Sequence, residues 1–324
     1  MHKSFIDFLV DPFTKQELKL IITEQKGEFI ISGEFIGSKV FPIIRGIPRF
    51  VDYDGYVKGF SYQWNKWPRL QFEDQNIGKP LQGHTTRMWE EITGITEQNL
   101  GRQTIGDFGC GPGRFIDVVK KRNGKVIGID YSLAVEAAQK NFPDDPDVLI
   151  IQADILNLPI RNNSLDGAYS IGVLHHTPDP PFGFSNITKT VKKGGWVGIC
   201  VYEAGGYYTS NIVKLYRWVF KKLWPIFGYR LPLGYSYFAI YCLAPFTKIP
   251  LIGKAIKYVL RKFLFPFIVL PDARWSILDT FDSLTTSYQS GHTFEEIQNW
   301  YQENGYESYS HSKWGNTAMS GIRK

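Results

Sequence analysis

The chain has 324 residues, of which 43% are hydrophobic and 21% are charged, and its formal net charge is +6. A chain of this length can bury a large core, and so weak a positive charge does not by itself indicate a nucleic-acid-binding protein. The three cysteines, Cys110, Cys200 and Cys242, fit neither a disulfide framework nor a metal-ligand spacing, which favours a reducing cytoplasm.

Residues 1–52 form the first predicted unit, a small β module. Short strand-like runs at 19–25, 28–35 and 39–51 are separated by Gly and Pro, as in hairpins. Acidic residues inside the N-terminal apolar run argue against a signal peptide. Residues 53–103 follow as a predicted helical connector or lid.

Strand-like and helix-like segments alternate from Thr104 onward. TIGDFG leads into GRFIDVVKKR, KVIGID leads into SLAVEAAQKNF, and VLIIQAD precedes LDGAYSIGV. This alternation predicts a parallel sheet with helices on both faces. We therefore predict an α/β catalytic domain over residues 104–203 and 272–324.

The glycine-rich segment DFGCGPGRF follows the first of these strands, and its bare backbone lets a ligand approach closely. A dinucleotide-binding loop has the spacing G-x-G-x-x-G/A and holds a pyrophosphate at a helix N-terminus. Here the spacing from Gly109 to Gly113 is G-x-G-x-G, and Asp107 lies two residues before the first glycine. A carboxylate there would repel a pyrophosphate and attract the ammonium group of a methionine moiety.

Two further acids end the next two predicted strands. Asp130 is placed to accept hydrogen bonds from both hydroxyls of a ribose, and Asp154 is placed to face an adenine amino group. Acids at three successive strand ends favour S-adenosylmethionine over a dinucleotide, and S-adenosylmethionine is the predicted cofactor.

These motifs resemble those of the class I S-adenosylmethionine-dependent methyltransferases over about residues 55–203 and 272–324. DFGCGPGRF resembles the cofactor loop of that family, VIGIDYS its ribose strand and IQADILNLPI its adenine segment. LDGAYSIGVLHHTPDP and VKKGGWVGICVYE resemble the segments at its fourth and fifth strands. The resemblance implies a Rossmann-like, seven-stranded methyltransferase sheet. Within the family, the chain resembles the bacterial branch that acts on small molecules or glycans.

The same resemblance implies a set of cofactor contacts. They are Asp107, Gly109, Gly111, Gly113, Asp130, Tyr131, Asp154, Ile155 and the backbone near Ile171. We add Arg87 as a candidate for the carboxylate of the cofactor. No shared catalytic residue is implied, because the family does not have one.

Residues 1–52 resemble the zinc-ribbon-like domain that partners or precedes some methyltransferases. The usual domain has C-P-x-C and a second cysteine pair, whereas Asp11 and Thr14 stand at the first pair and residues 1–109 contain no cysteine. Zinc needs about four suitable ligands in tetrahedral reach. We therefore predict a module without metal, which packs on the catalytic domain or holds a partner.

His175 and His176, in VLHHTP, follow the fourth strand, where the methyl acceptor is expected. An oxygen acceptor benefits from a base, and a histidine can serve near neutral pH, although the sequence does not choose between the two. His292, in SGHTFEE, is the third catalytic candidate, with a role at or near a helix N-cap as its alternative. Further candidates for the acceptor site or its lid are Tyr202, Glu203, Gln63 and Trp64.

Residues 204–271 contain ten Lys or Arg residues and no acid, so the rest of the chain carries a net negative charge. Two amphipathic stretches, 212–224 and 253–263, each place bases at i, i+3 and i+7 beside an apolar stripe. One interpretation is a helical cap inserted after the fifth strand, with its stripes on the core and its bases in solvent. The other is an interfacial surface for an anionic bilayer or an anionic lipid-linked acceptor.

The predicted function is therefore methyl transfer from S-adenosylmethionine to a small-molecule, glycan or lipid-linked acceptor, with oxygen as the favoured acceptor atom. Alternatives are a tRNA or protein methyltransferase, a quinone-type C-methyltransferase, and a protein that binds the cofactor without catalysis. The apolar residues among the bases of 204–271 argue against a nucleic-acid partner. We expect a cytoplasmic protein, peripheral at the inner membrane surface under the second interpretation, and the oligomeric state is left open.

Overall fold

The structure, a computed structural model, describes residues 1–52, 55–311 and 317–324 and contains two β-sheets within them. Residues 53–54 of the predicted connector and residues 312–316 of the predicted catalytic domain lie outside the described part. The small sheet consists of β1 (Lys19–Lys26), β2 (Phe29–Ile36), β3 (Val40–Ile44) and β4 (Ile47–Pro48). The large sheet consists of β5 (Thr104–Phe108), β6 (Lys125–Asp130), β7 (Val148–Gln152), β8 (Leu165–Ile171), β9 (Val191–Val201), β10 (Tyr306–His311) and β11 (Thr317–Arg323).

Helices surround the large sheet and form the segment between β9 and the C-terminal strands. They are α1 (Lys58–Lys66), α2 (His84–Thr93), α3 (Arg114–Lys120), α4 (Ala134–Asn141), α5 (Pro180–Thr190), α6 (Asn211–Phe227), α7 (Arg230–Phe238), α8 (Gly253–Val259), α9 (Ala273–Thr285) and α10 (Phe294–Glu303). The predicted α/β fold, with a Rossmann-like seven-stranded sheet and a small N-terminal sheet, is confirmed.

The large sheet has the strand order β10-β11-β9-β8-β5-β6-β7. The five strands from β5 to β9 run parallel, whereas β11 pairs antiparallel with both β9 and β10. β5 lies between β6 and β8, so the chain crosses over at β5 and a crevice opens beyond its carboxyl end. This topology brings the predicted glycine loop and the predicted acids to one edge of the sheet.

Both faces of the large sheet are covered because its strands are apolar on both sides. In β6, Ile127 and Ile129 belong to one buried cluster, which also contains side chains of α5 and α10. Val126, of the same strand, belongs to a second cluster, which contains side chains of α2, α3 and α4. The alternation of side chains along a strand explains this division.

The small N-terminal sheet shares a hydrophobic core with the large one. Phe35 and Ile43 of the small sheet lie in the same buried cluster as Ile127 and Ile129 of β6. At the edge of the large sheet, the Phe50 N–H donates to the carbonyl of Gln152 at 2.8 Å. Arg49 donates to the side chain of Gln152 at 2.6 Å and pairs with Glu136 of α4. The module therefore packs directly on the catalytic domain.

Asp11 occupies the place in this module where the resemblance puts a cysteine. Its side chain is buried and accepts backbone hydrogen bonds from Phe13 at 2.8 Å and Thr14 at 2.9 Å. It also accepts one from Ser38 at 2.5 Å, so one carboxylate joins two loops that are distant in sequence. Burial acts to raise the pKa of Asp11, but the hydrogen bonds from Ser38, Thr14 and Phe13 outweigh it and lower this pKa to about 2. Among the described residues, no group of three or more His, Cys, Asp or Glu side chains could hold a metal ion.

Replacing Asp11 with Ala should lower the free energy of unfolding by about 3 kcal/mol, because three partly buried N–H groups lose a charged acceptor. In the unchanged protein, the contribution of this carboxylate is complete above the ordinary pKa of 3.8 and declines as the pH falls towards 2. Urea unfolding at several pH values measures both effects. A loss no larger than that of Asp7→Ala, at an exposed acid of the same module, would contradict the prediction.

Residues 204–271, called the insertion from here on, form α6, α7 and α8 with short 3-10 and π turns between them. α6 and α7 pack on α9, and a small buried cluster joins Ala239 and Ile240 to Ile277 of α9. The predicted helical insertion is present, but the predicted division of its faces is wrong in part. A π turn at Leu260–Leu264 ends the regular α8 periodicity, and Val259 and Phe263, which the first interpretation placed on the core, are exposed.

The predicted basic face of α6 is also wrong in part, because Arg217 points inwards. Its Nη2 atom donates to the carbonyl of Ser283 in α9 at 3.1 Å. The buried face of α6 instead consists of Val213 and Phe220, which are 0% and 5% exposed. The contact with α9 sets the rotation of α6 about its axis, and the sequence of α6 alone does not contain that information.

Candidate active site

A cavity of about 400 Å³ lies beyond the carboxyl ends of the parallel strands. Its walls come from the glycine loop after β5, from the residues that end β6 and β8, and from the side chains of α1 and α9. The position agrees with the rule that ligands bind at the switch point of a parallel sheet.

The glycine loop has a backbone that only glycine adopts without strain. Gly109, Gly111 and Gly113 have φ values of +88°, +53° and +92°. A Cβ atom added at Gly109 would lie 2.3 Å from a methyl carbon of Val173, in the segment that follows β8. A Cβ at Gly111 would lie 3.3 Å from the ring nitrogen of Trp64, which lines the cavity from α1. A side chain at either position would therefore crowd Val173 or Trp64, two residues that line the cavity.

Asp130 ends β6 and lines the cavity, and it also organises the loops around it. One carboxylate oxygen accepts from the Gly111 N–H at 2.9 Å. The other accepts from the N–H of Ser132 at 2.8 Å and from its hydroxyl at 2.6 Å. A carboxylate has about four acceptor positions, and these hydrogen bonds occupy three of those of Asp130. One position remains for a further donor, or two if the Ser132 hydroxyl rotates away. Burial raises the pKa of Asp130.

The wall beside Asp130 combines one carboxylate with flat and apolar side chains. Asp154 follows β7 and caps a short helical turn, where it accepts from the Leu156 N–H at 2.9 Å. The ring of Tyr131 stacks on that of Tyr56 with 5.3 Å between ring centroids. Ile155 and Ile171 complete this side of the cavity.

Asp107 and Arg114 flank the glycine loop at its two ends, and Arg114 lines the cavity whereas Asp107, a predicted cofactor contact, does not. Asp107 is buried beside Tyr169 and lies behind the cavity wall, and burial raises its pKa to about 8. Arg114, the first residue of α3, lines the cavity. Burial lowers the pKa of Arg114 to about 10, against the opposing effect of carboxylates that include Asp279 and Asp107.

Arg87, the basic residue predicted for the cofactor, lies outside the cavity. Its side chain is exposed and donates to the carbonyl of Gln82 at 3.1 Å. α2 presents its apolar side to the large sheet, which turns Arg87 towards solvent. The cation in the cavity is Arg114, which directly follows the third glycine in GPGRF.

The predicted histidine pair lies at the other end of the cavity. His175 is completely buried, and neither of its ring nitrogens has a hydrogen-bond partner within the described part of the chain. Burial, reinforced by His176, holds the pKa of His175 well below its ordinary value. His176 donates from Nδ1 to the carbonyl of Tyr288 at 3.0 Å, which leaves Nε2 as an acceptor. Burial lowers the pKa of His176 to about 4.

Tyr202, a candidate from the end of β9, connects the histidines to the opposite wall. Its ring centroid lies 3.8 Å from that of His175, and its ring stacks on Tyr208 at 4.1 Å. Its hydroxyl donates to a carboxylate oxygen of Asp282 at 3.4 Å. Gln63 of α1 also lines this region and is completely buried.

Two carboxylates of α9, Asp279 and Asp282, line the cavity and were missed in the sequence. Burial raises their pKa values to about 7 and about 6, with Arg114 acting in the opposite direction on both. The sequence SILDTFDSLTT did contain a signal for these two acids. They lie three residues apart in a helix whose other positions are apolar or small. Only the docking of α9 on the sheet reveals that these acids face the same cavity as the glycine loop.

His292 and Glu203 do not reach the cavity. His292 lies 2.7 Å from the Ser290 hydroxyl and 3.2 Å from Glu296, and Glu203 is exposed. The N-cap of α10 is the next residue, Thr293, which forms a capping box with Glu296. The alternative role at or near the helix start therefore describes His292 better than a catalytic role.

Residues 106–199 match the family described as methyltransferase domain. The chain is 33% identical over 116 residues to demethylmenaquinone methyltransferase of Desulfitobacterium hafniense, covering 34% of this chain and 46% of that one. It is 24% identical over 169 residues to 24-methylenesterol C-methyltransferase 2 of Oryza sativa subsp. japonica, covering 49% and 46%. A solved structure of a putative S-adenosyl-L-methionine-dependent methyltransferase from Methanococcus maripaludis is 20% identical, with coverages of 85% and 96% and a TM-score of 0.46.

The family match and the two curated relatives support the predicted enzyme class, an S-adenosylmethionine-dependent methyltransferase, and the predicted cofactor. The chain spans less than half the length of the two curated relatives. The relatives are named for different acceptors, a quinone precursor and a sterol, so they leave the acceptor of this chain open.

Proposed function

We propose that this chain, whose residues 106–199 match a methyltransferase domain, transfers a methyl group from S-adenosylmethionine to a hydroxyl group of a small-molecule, glycan or lipid-linked acceptor. The observation that carries the proposal is a single cavity with two chemically different ends. One end consists of the glycine loop, Asp130 and Asp154. The other consists of the histidine pair, Tyr202 and the α9 carboxylates.

The residues at the first end fit the chemical groups of the cofactor. Asp130 retains acceptor capacity for a ribose hydroxyl, and Asp154 offers an acceptor to an exocyclic amino group. Ile155 and Ile171 supply apolar surface for a base, and Arg114 supplies a cation for a carboxylate. When bound, S-adenosylmethionine supplies a methyl group on a sulfonium, which an acceptor atom displaces when it is held in line.

The residues at the second end can hold a hydroxyl group and receive its proton. His176 presents Nε2 as an acceptor, because its Nδ1 proton is committed to Tyr288. Burial raises the pKa of Asp282 to about 6, which is nearer to neutral pH than the pKa of about 4 of His176. Asp282 also accepts from the hydroxyl of Tyr202, whose ring lies against His175, so this carboxylate lies beside the histidine pair. We therefore assign orientation of the acceptor to His176 and removal of its proton to Asp282.

Methylation of carbon in an apolar acceptor is the second candidate. The named relatives favour it, since one is a sterol C-methyltransferase by name, and the aromatic rings around Tyr202 would suit a flat ring. The two candidates differ in the product, because only O-methylation removes an exchangeable hydroxyl proton from the acceptor.

The test is methyl transfer from isotopically labelled S-adenosylmethionine into fractionated cell extract, with the labelled product identified by mass spectrometry. A methyl ether is the expected product, and a methyl group on carbon would establish the second candidate instead. Absence of transfer together with absence of cofactor binding in calorimetry would overturn the proposal.

Replacing Asp282 with Asn should lower turnover of the identified acceptor by about 100-fold or more, because general-base catalysis contributes that much. In the unchanged enzyme, turnover should rise as the pH increases through about 6, where the Asp282 carboxyl loses its proton, and then level off. The variant should lose this rise. His292→Gln is the control outside the cavity and should retain nearly full turnover. A pH profile of Asp282→Asn that keeps the rise would remove Asp282 from the role of base.

A further inference from the structure

The outer surface of the insertion is far more apolar than the rest of the protein surface. Fifteen of the 24 exposed large hydrophobic side chains in the described part of the chain lie within residues 204–271. They are Leu215, Trp218, Ile226, Phe227, Tyr237, Phe238, Tyr241, Phe246, Ile249, Leu251, Ile252, Tyr258, Val259, Phe263 and Leu264. An apolar surface of this extent usually marks a site of interaction with a protein or a membrane.

α6 shows that these residues form an ordered face. Leu215, Trp218 and Ile226 recur at helical spacing and are 53%, 59% and 73% exposed. Val213 and Phe220, on the opposite side of the helix, are the ones that pack into the protein. α6 therefore has two apolar faces, and contacts within the chain cover only one of them.

The charges around this face are all positive. Seven of the ten basic side chains of the insertion are exposed, and the segment contains no acid. The seven are Lys214, Lys221, Lys222, Arg230, Lys248, Lys254 and Lys262. A second copy of the same face would bring bases against bases, whereas an anionic bilayer complements the charge and also accepts apolar side chains. Among the described residues, no helix is long and apolar enough to cross a membrane.

A groove between the start of α6 and α8 adds a place for an anionic group. Its volume is about 710 Å³, and its basic lining consists of Lys254, Lys257, Arg261 and Lys262. The guanidinium of Arg261 lies 4.0 Å from the ring centroid of Tyr207, which fixes its position. These cations converge on a partly enclosed space of a kind that suits a phosphate.

We propose that the outward face of the insertion docks the protein on an anionic phospholipid bilayer. The exposed aromatic and aliphatic side chains enter the headgroup region, where aromatic residues are favoured, and the exposed lysines remain among the lipid phosphates. The groove between α6 and α8 holds one lipid phosphate. None of the residues of this surface is assigned to the cofactor or to the acceptor. The test of this proposal does not depend on methyl transfer.

The test is co-sedimentation of the full chain with vesicles of phosphatidylglycerol and phosphatidylcholine, or of phosphatidylcholine alone. Binding is expected for the anionic vesicles at low salt, with a marked decrease as salt screens the lysines. The triple variant Lys254→Gln, Lys257→Gln, Lys262→Gln should bind roughly 100-fold more weakly. Its matched control replaces Lys19, Lys140 and Lys193, which are exposed outside the insertion, and should bind as the unchanged protein does.

A second pair of variants tests insertion of the apolar side chains. Trp218→Ser with Phe227→Ser should reduce vesicle binding at all salt concentrations, whereas Phe13→Ser with Ile77→Ser, at exposed positions elsewhere, should not. Circular dichroism and calorimetry with S-adenosylmethionine check that each variant is folded and keeps its cofactor site.

Several results would overturn the proposal. Failure to bind anionic vesicles at low salt would do so, as would equal binding to neutral vesicles or equal losses in the control variants. Displacement from vesicles by tRNA at equal charge would identify a nucleic-acid surface instead. Self-association that disappears with Trp218→Ser and Phe227→Ser, without any vesicle binding, would identify an interface between copies of this chain.

Discussion

Replacing Asp130 with Ala is expected to weaken the binding of S-adenosylmethionine by about 10- to 100-fold. A hydrogen bond to a charged group contributes about 1.5–3 kcal/mol, and the arrangement of Asp130 leaves acceptor capacity for at least one ribose hydroxyl. The variant also removes the acceptor of the Gly111 N–H, so the glycine loop loses part of its support. Isothermal calorimetry measures the change.

Two comparisons make the Asp130 result specific. Asp7→Ala removes an exposed acid from the N-terminal module and should leave the affinity unchanged. Asp130→Asn keeps the size of the side chain and one acceptor oxygen, so its loss of affinity should be smaller than that of the Ala variant. Unchanged affinity in Asp130→Ala, or tight binding of a nicotinamide dinucleotide to the unchanged protein, would contradict the assignment of this wall to S-adenosylmethionine.

Replacing Gly109 with Ala is expected to lower the free energy of unfolding by about 2–5 kcal/mol and to reduce cofactor affinity as well. The backbone at Gly109 has a φ of +88°, which costs an L-residue about 1–2 kcal/mol. The new methyl group would also lie 2.3 Å from Val173, whose branched side chain has little freedom to move. Overpacking of this kind costs about 1–3 kcal/mol more.

Gly78 offers a matched control, because its φ is +69° and a Cβ atom there would have no neighbour within 4 Å. Gly78→Ala should therefore show the cost of the backbone conformation alone. Urea unfolding of both variants separates the two contributions, and calorimetry shows whether cofactor affinity falls only in Gly109→Ala. Equal losses of stability in the two variants would mean that the contact with Val173 adds nothing.

The edge of the site that is proposed to hold the cofactor could be predicted from the sequence because its parts are local. Asp130 ends one strand, and Asp154 and the glycine loop closely follow two others, so the geometry of a parallel sheet suffices to bring them together. The apolar runs of the strands and the Gly and Pro residues of the N-terminal module carry similarly local information. The parallel strands of the large sheet and the hairpins of the module follow from it, whereas the number of seven strands came from the family resemblance.

The opposite end of the cavity depends on contacts between distant segments. Asp279 and Asp282 lie more than one hundred residues after the glycine loop in the chain, and the docking of α9 alone turns them towards it. Arg87 and His292 have suitable chemistry, but the packing of α2 turns Arg87 to solvent, and His292, just before α10, contacts Ser290 and Glu296 instead. A sequence specifies which residues can share a helical face, but not which way that face points.

The insertion shows the same division between composition and geometry. Its ten bases and the absence of acids are properties of the sequence, and they sufficed to raise both a cap and a membrane surface as interpretations. The tertiary structure decided that Val213 and Phe220 are buried while Leu215, Trp218 and Ile226 face outwards. α6 is apolar on two sides, so its periodicity permits either rotation, and only the contact with α9 selects one of them.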